Sequence, residues 1–429
     1  MKKIIFLIII STTSKHFSIA QTKCEDIYSD FVLYQKRVSM EKDLHERIIA
    51  KTFSMPLDSN SEYKYELACS AISQFLFINN DIEKAFEKLF FKYDSLEYDT
   101  KKSFLEALYA VEQKKYFINV QQILMKENDP KLFSMCAVYL YRADTSADNC
   151  NAIKIKMVEN FPGYDSLIIL NELQNYLSYH SSLMHQKTPD IVQFFSYQKN
   201  INQKIIYSFQ RWNRDYAGLA VVQNADGNFV KDASGRLLIF EQLARSGSDL
   251  PYFITNGSTP QGIYSIQGTN VAHNNFIGPT PNIQLIMPFE NTWKKYFHAD
   301  TDSIFDSLML YKKLLPPSWK NYEPMMEAWN AGKIGRTEII AHGTALDPEY
   351  FKDKPFYPLT PTLGCLCAKE LWNPTTGRLL VSEQFNLVSA FQSTTGNKGF
   401  LFVINIDDQQ KAVSRIEVEN FVKKFEALK

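Results

Sequence analysis

Glycine is almost missing from the first half of this 429-residue chain. Only Gly163 and Gly218 precede position 227, whereas fourteen glycines lie at 227 and beyond. Proline follows the same trend, with four residues before position 200 and thirteen after it. A segment poor in both residues can form long helices, and a segment rich in both needs turns. The sequence therefore predicts two halves of different architecture that meet near residue 200.

An excess of charge of either sign is lacking as well. Lysine plus arginine number 47, aspartate plus glutamate also number 47, and no basic run occurs. Nucleic acids and anionic membrane surfaces attract basic patches, so the sequence predicts no nucleic-acid partner and no electrostatic membrane anchor. Hydrophobic residues make up 45% of the chain, which is enough for a sizeable core.

The first twenty residues have the layout of a secretory signal peptide. Two lysines precede the apolar run from Ile4 to Ile10, and Ser18-Ile19-Ala20 offers small residues where a signal peptidase cleaves. A membrane-spanning helix would need roughly 20 apolar residues, and Lys15 interrupts this run. We expect residues 1–20 to be removed and the protein to be exported to the periplasm or cell envelope.

Export permits disulfides among the six cysteines. Cys136 lies at helical spacing with Phe133, Ala137 and Leu140, which favours a buried thiol. Two cysteines, Cys365 and Cys367, are separated by one residue. The other four permit three full connectivities, and the sequence does not choose among them.

The first half carries the apolar period of helices. The stripe of Ile82, Ala85, Phe86, Leu89 and Phe90 predicts one helix. A second stripe runs from Phe104 to Val111, with Asp99 and Thr100 as candidate caps, and a third helix is predicted to start at Pro130. Short helices at intervals of roughly 20 residues predict an irregular helical-repeat-like array. Its apolar stripes are typical of a packing or docking module.

The second half carries the signals of strands. Asp226-Gly227 and Ser234-Gly235 are turn pairs between apolar segments and predict a hairpin. Three segments, "GIYSIQG", "NIQLIMPFE" and "GFLFVINI", are predicted strands, and the last is apolar enough to be buried. The predicted fold is therefore α+β in two domains, a helical module over 21–199 and a β-rich domain over 200–429.

The residues for thiol chemistry lie in the β-rich half. Acyl transfer by cysteine needs a thiolate and a base within hydrogen-bond reach. His342 follows the apolar run "IIA" and precedes a glycine, and Cys365 comes 23 residues later, directly after Gly364. Such a strand would place the imidazole at its end, and Gly364 would let backbone N–H groups approach a developing oxyanion.

These residues resemble the signature of the L,D-transpeptidases, the YkuD-like enzymes of bacterial cell walls. "HGT" at 342–344, a loop, and "TLGC" at 362–365 follow the family's order. "STPQGIYSI" at 258–266 is similar to the family's Thr-Pro-x-Gly-x-Tyr strand, and "GPTPNIQLIMPFE" resembles its groove segment. The resemblance covers roughly residues 215 to 400.

The resemblance implies a role for each matching residue. Cys365 would be the nucleophile, His342 its general base, Thr362 the residue that orients the imidazole, and Gly364 part of the oxyanion site. Substrate contacts are assigned to six positions of the same motifs and their surroundings, namely Thr259, Pro260, Gly262, Tyr264, His273 and Gly343. The implied substrate is a peptidoglycan stem peptide, with no cofactor and no metal. A cell-envelope protein is the partner class considered for the helical module.

Two departures from the family and two alternatives stay open. Leu363 stands where many members have histidine, and Cys367 replaces an arginine that helps to hold substrate or the backbone of the site. Cys367 is predicted to pack behind Cys365, since alternate residues of a strand share a face. Zinc held by His342, Cys365, Cys367 and His273 is one alternative, and an inactive wall-binding module is the other.

Overall fold

The computed structural model describes residues 23–181, 187–301 and 305–429. The predicted signal peptide lies outside the described residues. Helices are the regular elements of the first half, and a π-helix, Asp43–Ala50, joins its first two α-helices. The α-helices before the first strand are α1 Tyr34–Lys42, α2 Lys51–Ser54, α3 Glu62–Phe75, α4 Asn80–Lys92, α5 Tyr98–Val111, α6 Phe117–Leu124, α7 Pro130–Ala143, α8 Ala147–Asn160, α9 Ile168–Ser181 and α10 Val192–Ile201.

The helices begin where local chemistry favours a start, with one difference from expectation. Asp129 caps α7 by accepting from the N–H groups of Lys131 and Leu132, with Pro130 at the first helical position. The apolar stripe of α4 is buried as predicted, apart from the partly exposed Phe90. The expected caps of α5 are wrong, because that helix already starts at Tyr98, with Thr100 buried inside it.

The second half contains ten strands and five further helices among the described residues. The strands are β1 Lys204–Arg211, β2 Gly218–Gln223, β3 Phe240–Leu243, β4 Gly262–Asn270, β5 Asn282–Ile286, β6 Ala341–His342, β7 Leu366–Ala368, β8 Glu370–Trp372, β9 Leu379–Ser382 and β10 Gly399–Asp407. The helices are α11 Trp293–Phe297, α12 Ser307–Lys313, α13 Glu327–Ile334, α14 Glu383–Gln392 and α15 Arg415–Glu426.

Eight of these strands close into a barrel, in the order β1-β10-β4-β5-β6-β7-β3-β2. The three segments predicted as strands lie in β4, β5 and β10, and β10 is buried over most of its length. Every barrel strand contributes to one apolar cluster that also holds Leu387 and Phe391 of α14. The fold is thus mixed α+β, with a helical N-terminal region and a closed barrel.

The helical region and the barrel share apolar cores. Leu250, Phe253 and Ile254 of the barrel half belong to the cluster that fills the helical region. The loop after His342 packs through Phe351 and Phe356 in a cluster with helical residues. Helix α10 packs against barrel strands and α15. In the described part of the chain, no helix combines the length and apolarity needed to cross a membrane.

Candidate active site

Two short parallel strands bring the histidine and the thiols together. Strand β6 pairs with β7 so that Ala341 is opposite Leu366 and His342 is opposite Cys367. The Leu366 N–H donates to the Ile340 carbonyl, so Cys365 lies beside Ile340. The predicted nucleophile and base are therefore on neighbouring strands but offset by two residues, or about 7 Å along the strand.

Cys365 is partly exposed, and the backbone before β6 surrounds its sulfur. The Ile340 N–H donates to Cys365 Sγ over 3.5 Å, and the thiol can donate to the Glu338 carbonyl at the same distance. Burial raises the pKa of the Cys365 thiol to about 11, although the Ile340 N–H and the nearby Arg336 act in the opposite direction. The resting side chain is therefore a neutral thiol at pH 7.

Cys367 has a different environment. Its side chain is buried, with the Thr360 hydroxyl 3.6 Å from Sγ. Burial raises the pKa of the Cys367 thiol to about 12. Of the two thiols, only Cys365 is open to a substrate.

His342 is buried and held by its own neighbour. Its Nδ1 lies within hydrogen-bond distance of the Gly343 carbonyl oxygen. Since a carbonyl only accepts, Nδ1 carries the proton of the neutral ring and Nε2 keeps a basic lone pair. Burial lowers the pKa of His342 to about 4, so the ring is neutral, the form that can take a proton. Among the described residues, His342 and Cys365 share no hydrogen bond.

The turn before Cys365 is fixed by Thr362 and Gly364. The Thr362 hydroxyl donates to the Cys365 carbonyl at 2.9 Å and accepts from the Gly364 N–H at 3.0 Å. The Thr362 carbonyl accepts from Gly247. Thr362 thus holds the turn, and within the described residues it forms no hydrogen bond with His342. The Cys365 N–H has no partner among the described residues, which leaves it available as an oxyanion donor.

Gly364 cannot carry a side chain in this conformation. Its φ is +110°, and a β-carbon would lie 2.5 Å from Arg336 Nη2 and 2.6 Å from the Gly257 carbonyl oxygen. Arg336 is itself buried, and its guanidinium donates to the carbonyls of Gly257, Ser258 and Tyr252. Arg336 is therefore a cation directly beside the nucleophile turn.

The predicted substrate residues of the upstream motif are buried. The Thr259 hydroxyl donates to the Gly364 carbonyl at 2.9 Å, and the Tyr264 hydroxyl donates to the Pro260 carbonyl at 2.7 Å. At Gly262, with φ +140°, a β-carbon would lie 2.6 Å from Ala328. Since all four are buried, the structure places them behind the nucleophile turn, where they fix the wall that carries it.

The remaining two predicted substrate positions are His273 and Gly343. His273 is exposed, in the loop after β4. In the same loop, the Phe276 carbonyl accepts from the Ala345 N–H and from the Thr344 hydroxyl, which places the loop beside the segment after His342. A β-carbon on Gly343 would overlap the carboxyl group of Glu370.

Sequence reasoning missed Arg336 and Glu370. Glu370 is buried, accepts from the Thr344 N–H at 2.8 Å and from the Ser382 hydroxyl at 2.5 Å, and has its pKa raised to about 8 by burial. Arg336 opens the segment "RTEIIAHGT", and Glu370 comes five residues after Cys365. Proximity to the motif was the only signal available for either residue.

The geometry also bears on the zinc alternative. In the ranges that the structure describes, no three His, Cys, Asp or Glu side chains are grouped so that they could hold a metal ion. His342, Cys365, Cys367 and His273 lie within those ranges. All six cysteines are free thiols in the structure.

The chain matches no protein-family model, no curated protein and no solved structure. The family resemblance therefore depends on the sequence motifs and their spacing alone.

Proposed function

We propose that the chain is an exported cysteine acyltransferase of the L,D-transpeptidase type that acts on peptidoglycan stem peptides. One observation carries the proposal. A partly exposed thiol, Cys365, follows Gly364 and directly precedes the strand that pairs with the one ending at His342, whose neutral ring keeps Nε2 as a base. This is the residue set that acyl transfer by cysteine requires.

The proposed reaction has two steps. His342 Nε2 takes the proton of the Cys365 thiol while Sγ attacks the carbonyl carbon of the third stem residue, at its L-centre. The C–S bond forms, the amide C–N bond breaks, and the imidazolium gives its proton to the departing D-amino acid. An amine of a neighbouring stem then attacks the thioester, forms a new amide and releases the thiol. If water attacks instead, the product is an acid and the enzyme is an L,D-carboxypeptidase.

The proposal assigns the chemistry to residues 200–429 and a docking role to residues 21–199. Each candidate catalytic residue lies in the second range. Since Leu250, Phe253 and Ile254 are packed in the core of the helical region, the two roles belong to one packed molecule.

One observation favours the alternative of an inactive wall-binding module. The Cys365 thiol contacts backbone groups of Ile340 and Glu338, and the His342 ring contacts Gly343, so the pair is not preassembled in the resting protein. An active enzyme would need the substrate to displace these contacts, as catalytic hydrogen bonds often tighten only in the substrate complex.

Covalent labelling separates the alternatives. The protein is incubated with a carbapenem, which acylates the cysteine of this family, and its intact mass is measured. We expect a single adduct that is lost in Cys365→Ala and retained in the matched variant Cys367→Ala. His342→Ala should slow acylation by about 10²- to 10⁴-fold, the usual contribution of a general base. Labelling of Cys367, or no adduct in the folded wild type, would contradict the proposal.

Purified muropeptides then identify the reaction. Cross-linked product that requires Cys365 indicates a transpeptidase, and release of the terminal D-amino acid without cross-links indicates a carboxypeptidase. A folded wild type that binds muropeptides, but neither cross-links them nor releases the D-amino acid, would be the wall-binding module.

A further inference from the structure

A cavity of about 840 Å³ lies between the helical region and one end of the barrel. The segments after β1 and β10 and the segment before β4 line it, and these lie at the same barrel end because β1 and β10 are parallel and β4 is antiparallel to β10. Helix α9 closes it through Glu172 and Asn175. Its volume is in the range of small-molecule sites.

The cavity is separate from the thiol, although Thr259 connects the two. The Thr259 hydroxyl donates to the Gly364 carbonyl on the side of the nucleophile turn. The Thr259 carbonyl accepts from Arg214 Nη2 at 3.0 Å, and Arg214 lines the cavity. Cys365 and His342 are not among the lining residues.

Arg214 is a buried cation without an ion-pair partner. It is 8% exposed, and its guanidinium donates to the carbonyls of Arg211 and Thr259 and to the amide oxygen of Asn405. No carboxylate of the described residues lies within 4.0 Å of it, whereas Arg211 pairs with Asp407 at 2.7 Å and with a second carboxylate. Burying an unpaired charge is costly, and a planar guanidinium is suited to a carboxylate ligand.

Acidic side chains line the same cavity. Glu172 is 5% exposed and accepts from Asn330 at 2.9 Å and from the Tyr252 hydroxyl. Glu327 is also buried and accepts from the Gln261 N–H at 2.8 Å. Neither glutamate has a lysine or arginine within 4.0 Å among the described residues. Burial raises the pKa of both, that of Glu327 to about 8, although the Gln261 N–H and the more distant Arg214 act in the opposite direction on Glu327. An ammonium group between the two glutamates would offset the desolvation cost of their ionised forms.

The balance of lining charges defines the ligand further. Five carboxyl groups and one guanidinium line the cavity, the carboxyl groups being Glu172, Asp249, Glu323, Glu327 and Asp408. A ligand that satisfies both signs therefore carries one carboxylate and more than one ammonium group. Aromatic side chains, Tyr109, Tyr176, Trp212 and Tyr252, also line the space and can pack on an aliphatic stem.

We infer that this cavity binds a diamino monocarboxylic acid of the size of lysine, with its carboxylate on Arg214 and its side-chain ammonium group at Glu172 and Glu327. The inference uses none of the thiol chemistry proposed above.

Calorimetric titration of the full chain with four probes tests the inference. L-lysine and D-lysine carry all the required charges, norleucine lacks the side-chain ammonium group, and cadaverine lacks the carboxylate. We expect one enantiomer of lysine to bind at a single site, about 10- to 100-fold more tightly than norleucine or cadaverine, because each probe loses one charged hydrogen-bonding group. Absence of saturable lysine binding at millimolar concentrations would overturn the inference, and so would cadaverine binding as tightly as lysine.

Two variants that each remove one charge locate the charged groups. Arg214→Gln should weaken lysine and norleucine and leave cadaverine unchanged, whereas Glu172→Gln should weaken lysine and cadaverine and leave norleucine unchanged. Glu419→Gln, on the outer surface of α15, is the matched control. Lysine affinity that is unchanged in folded Arg214→Gln would overturn the assignment, and the four-probe series on the wild type decides the question if that variant does not fold. Cys365→Ala should bind lysine as the wild type does. Failure of the thiol proposal can therefore be distinguished from failure of the lysine site.

Discussion

The helical region and the barrel half bury different kinds of side chain. Among the described residues from 23 to 181, the buried charged side chains are three glutamates, Glu106, Glu127 and Glu172, without a lysine or arginine. The barrel half buries Lys204 and four arginines, Arg211, Arg214, Arg245 and Arg336, together with Glu327 and Glu370.

Apolar and ionisable side chains differ in what their burial requires. Apolar burial stabilises in proportion to area and depends little on which residues touch, whereas a buried ion is costly unless particular partners satisfy it. Two of the three helical glutamates have their partners in the barrel half. Glu106 accepts from Asn256, and Glu172 accepts from Asn330. Buried acidic and basic side chains are therefore concentrated in the barrel and at its contact with the helices, the regions to which both proposals assign function.

The largest expected effect follows from removing a ring in the helical core. Phe86 is fully buried in α4 and packs on Phe104 with ring centroids 5.5 Å apart. Phe86→Ala should lower the free energy of unfolding by about 3–5 kcal/mol, as large cavities do in cores. Urea unfolding measures this loss.

The same variant tests whether the regions are separable. In protein that is still folded, the rate at which iodoacetamide alkylates Cys365 should equal that of the wild type. Mass spectrometry of the Cys365 peptide measures this rate. A tenfold change in the alkylation rate would mean that the helical core affects the thiol site and that the two regions are not separable.

A smaller effect is expected at the nucleophile turn, where two glycines form a matched pair. Gly364 and Gly335 have similar φ values of +110° and +102°, but only Gly364 would place a β-carbon against other atoms. Gly335→Ala should cost about 1 kcal/mol from backbone strain alone. Gly364→Ala adds overpacking against Arg336, for a total of about 3 kcal/mol, and should also change Cys365 alkylation. Equal losses of stability in the two variants would show that the Arg336 contact does not matter.

Much of the division into a helical region and a barrel half could be predicted from the sequence. The scarcity of glycine and proline before residue 200 indicated helices, and apolar segments with turn pairs indicated strands, because both signals are local. The position of Pro130 correctly predicted the start of α7. The "IIAHG" segment predicted a strand that ends at His342, and β6 ends there.

Contacts between distant residues were not predictable. Arg214 and Glu172 face one cavity but lie 42 positions apart, and Arg336 reaches Gly364 from the end of a helix that carries no motif. The segment after the predicted signal peptide packs Ile27 and Val32 against Trp372. Such pairings leave no periodic trace in the chain. The offset of Cys365 from His342 likewise depends on strand register, which spacing alone does not determine.

The smallest expected effect concerns pH and again distinguishes the two regions. Burial raises the pKa of Glu370 to about 8 in the folded protein, against about 4.3 for an unperturbed glutamate. The folded state therefore holds a proton that the unfolded state has lost, so this contribution to stability is complete below the unfolded pKa and disappears as the pH rises through about 8. The contribution of Glu370 to the free energy of unfolding should therefore fall with rising pH, by at most about 1.4 kcal/mol per pH unit.

Glu370→Gln should remove part of this slope, because an amide cannot ionise. Glu327 and Glu106, with pKa values raised to about 8 and about 7, should maintain the remainder. Glu87→Gln, an exposed position on the helical α4, is the control and should leave the slope as in the wild type. Urea unfolding at a series of pH values measures all three proteins. A slope that Glu370→Gln leaves unchanged would mean that Glu370 is ionised in the folded state, and the Thr344 and Ser382 donors would then satisfy a charge rather than a neutral carboxyl group.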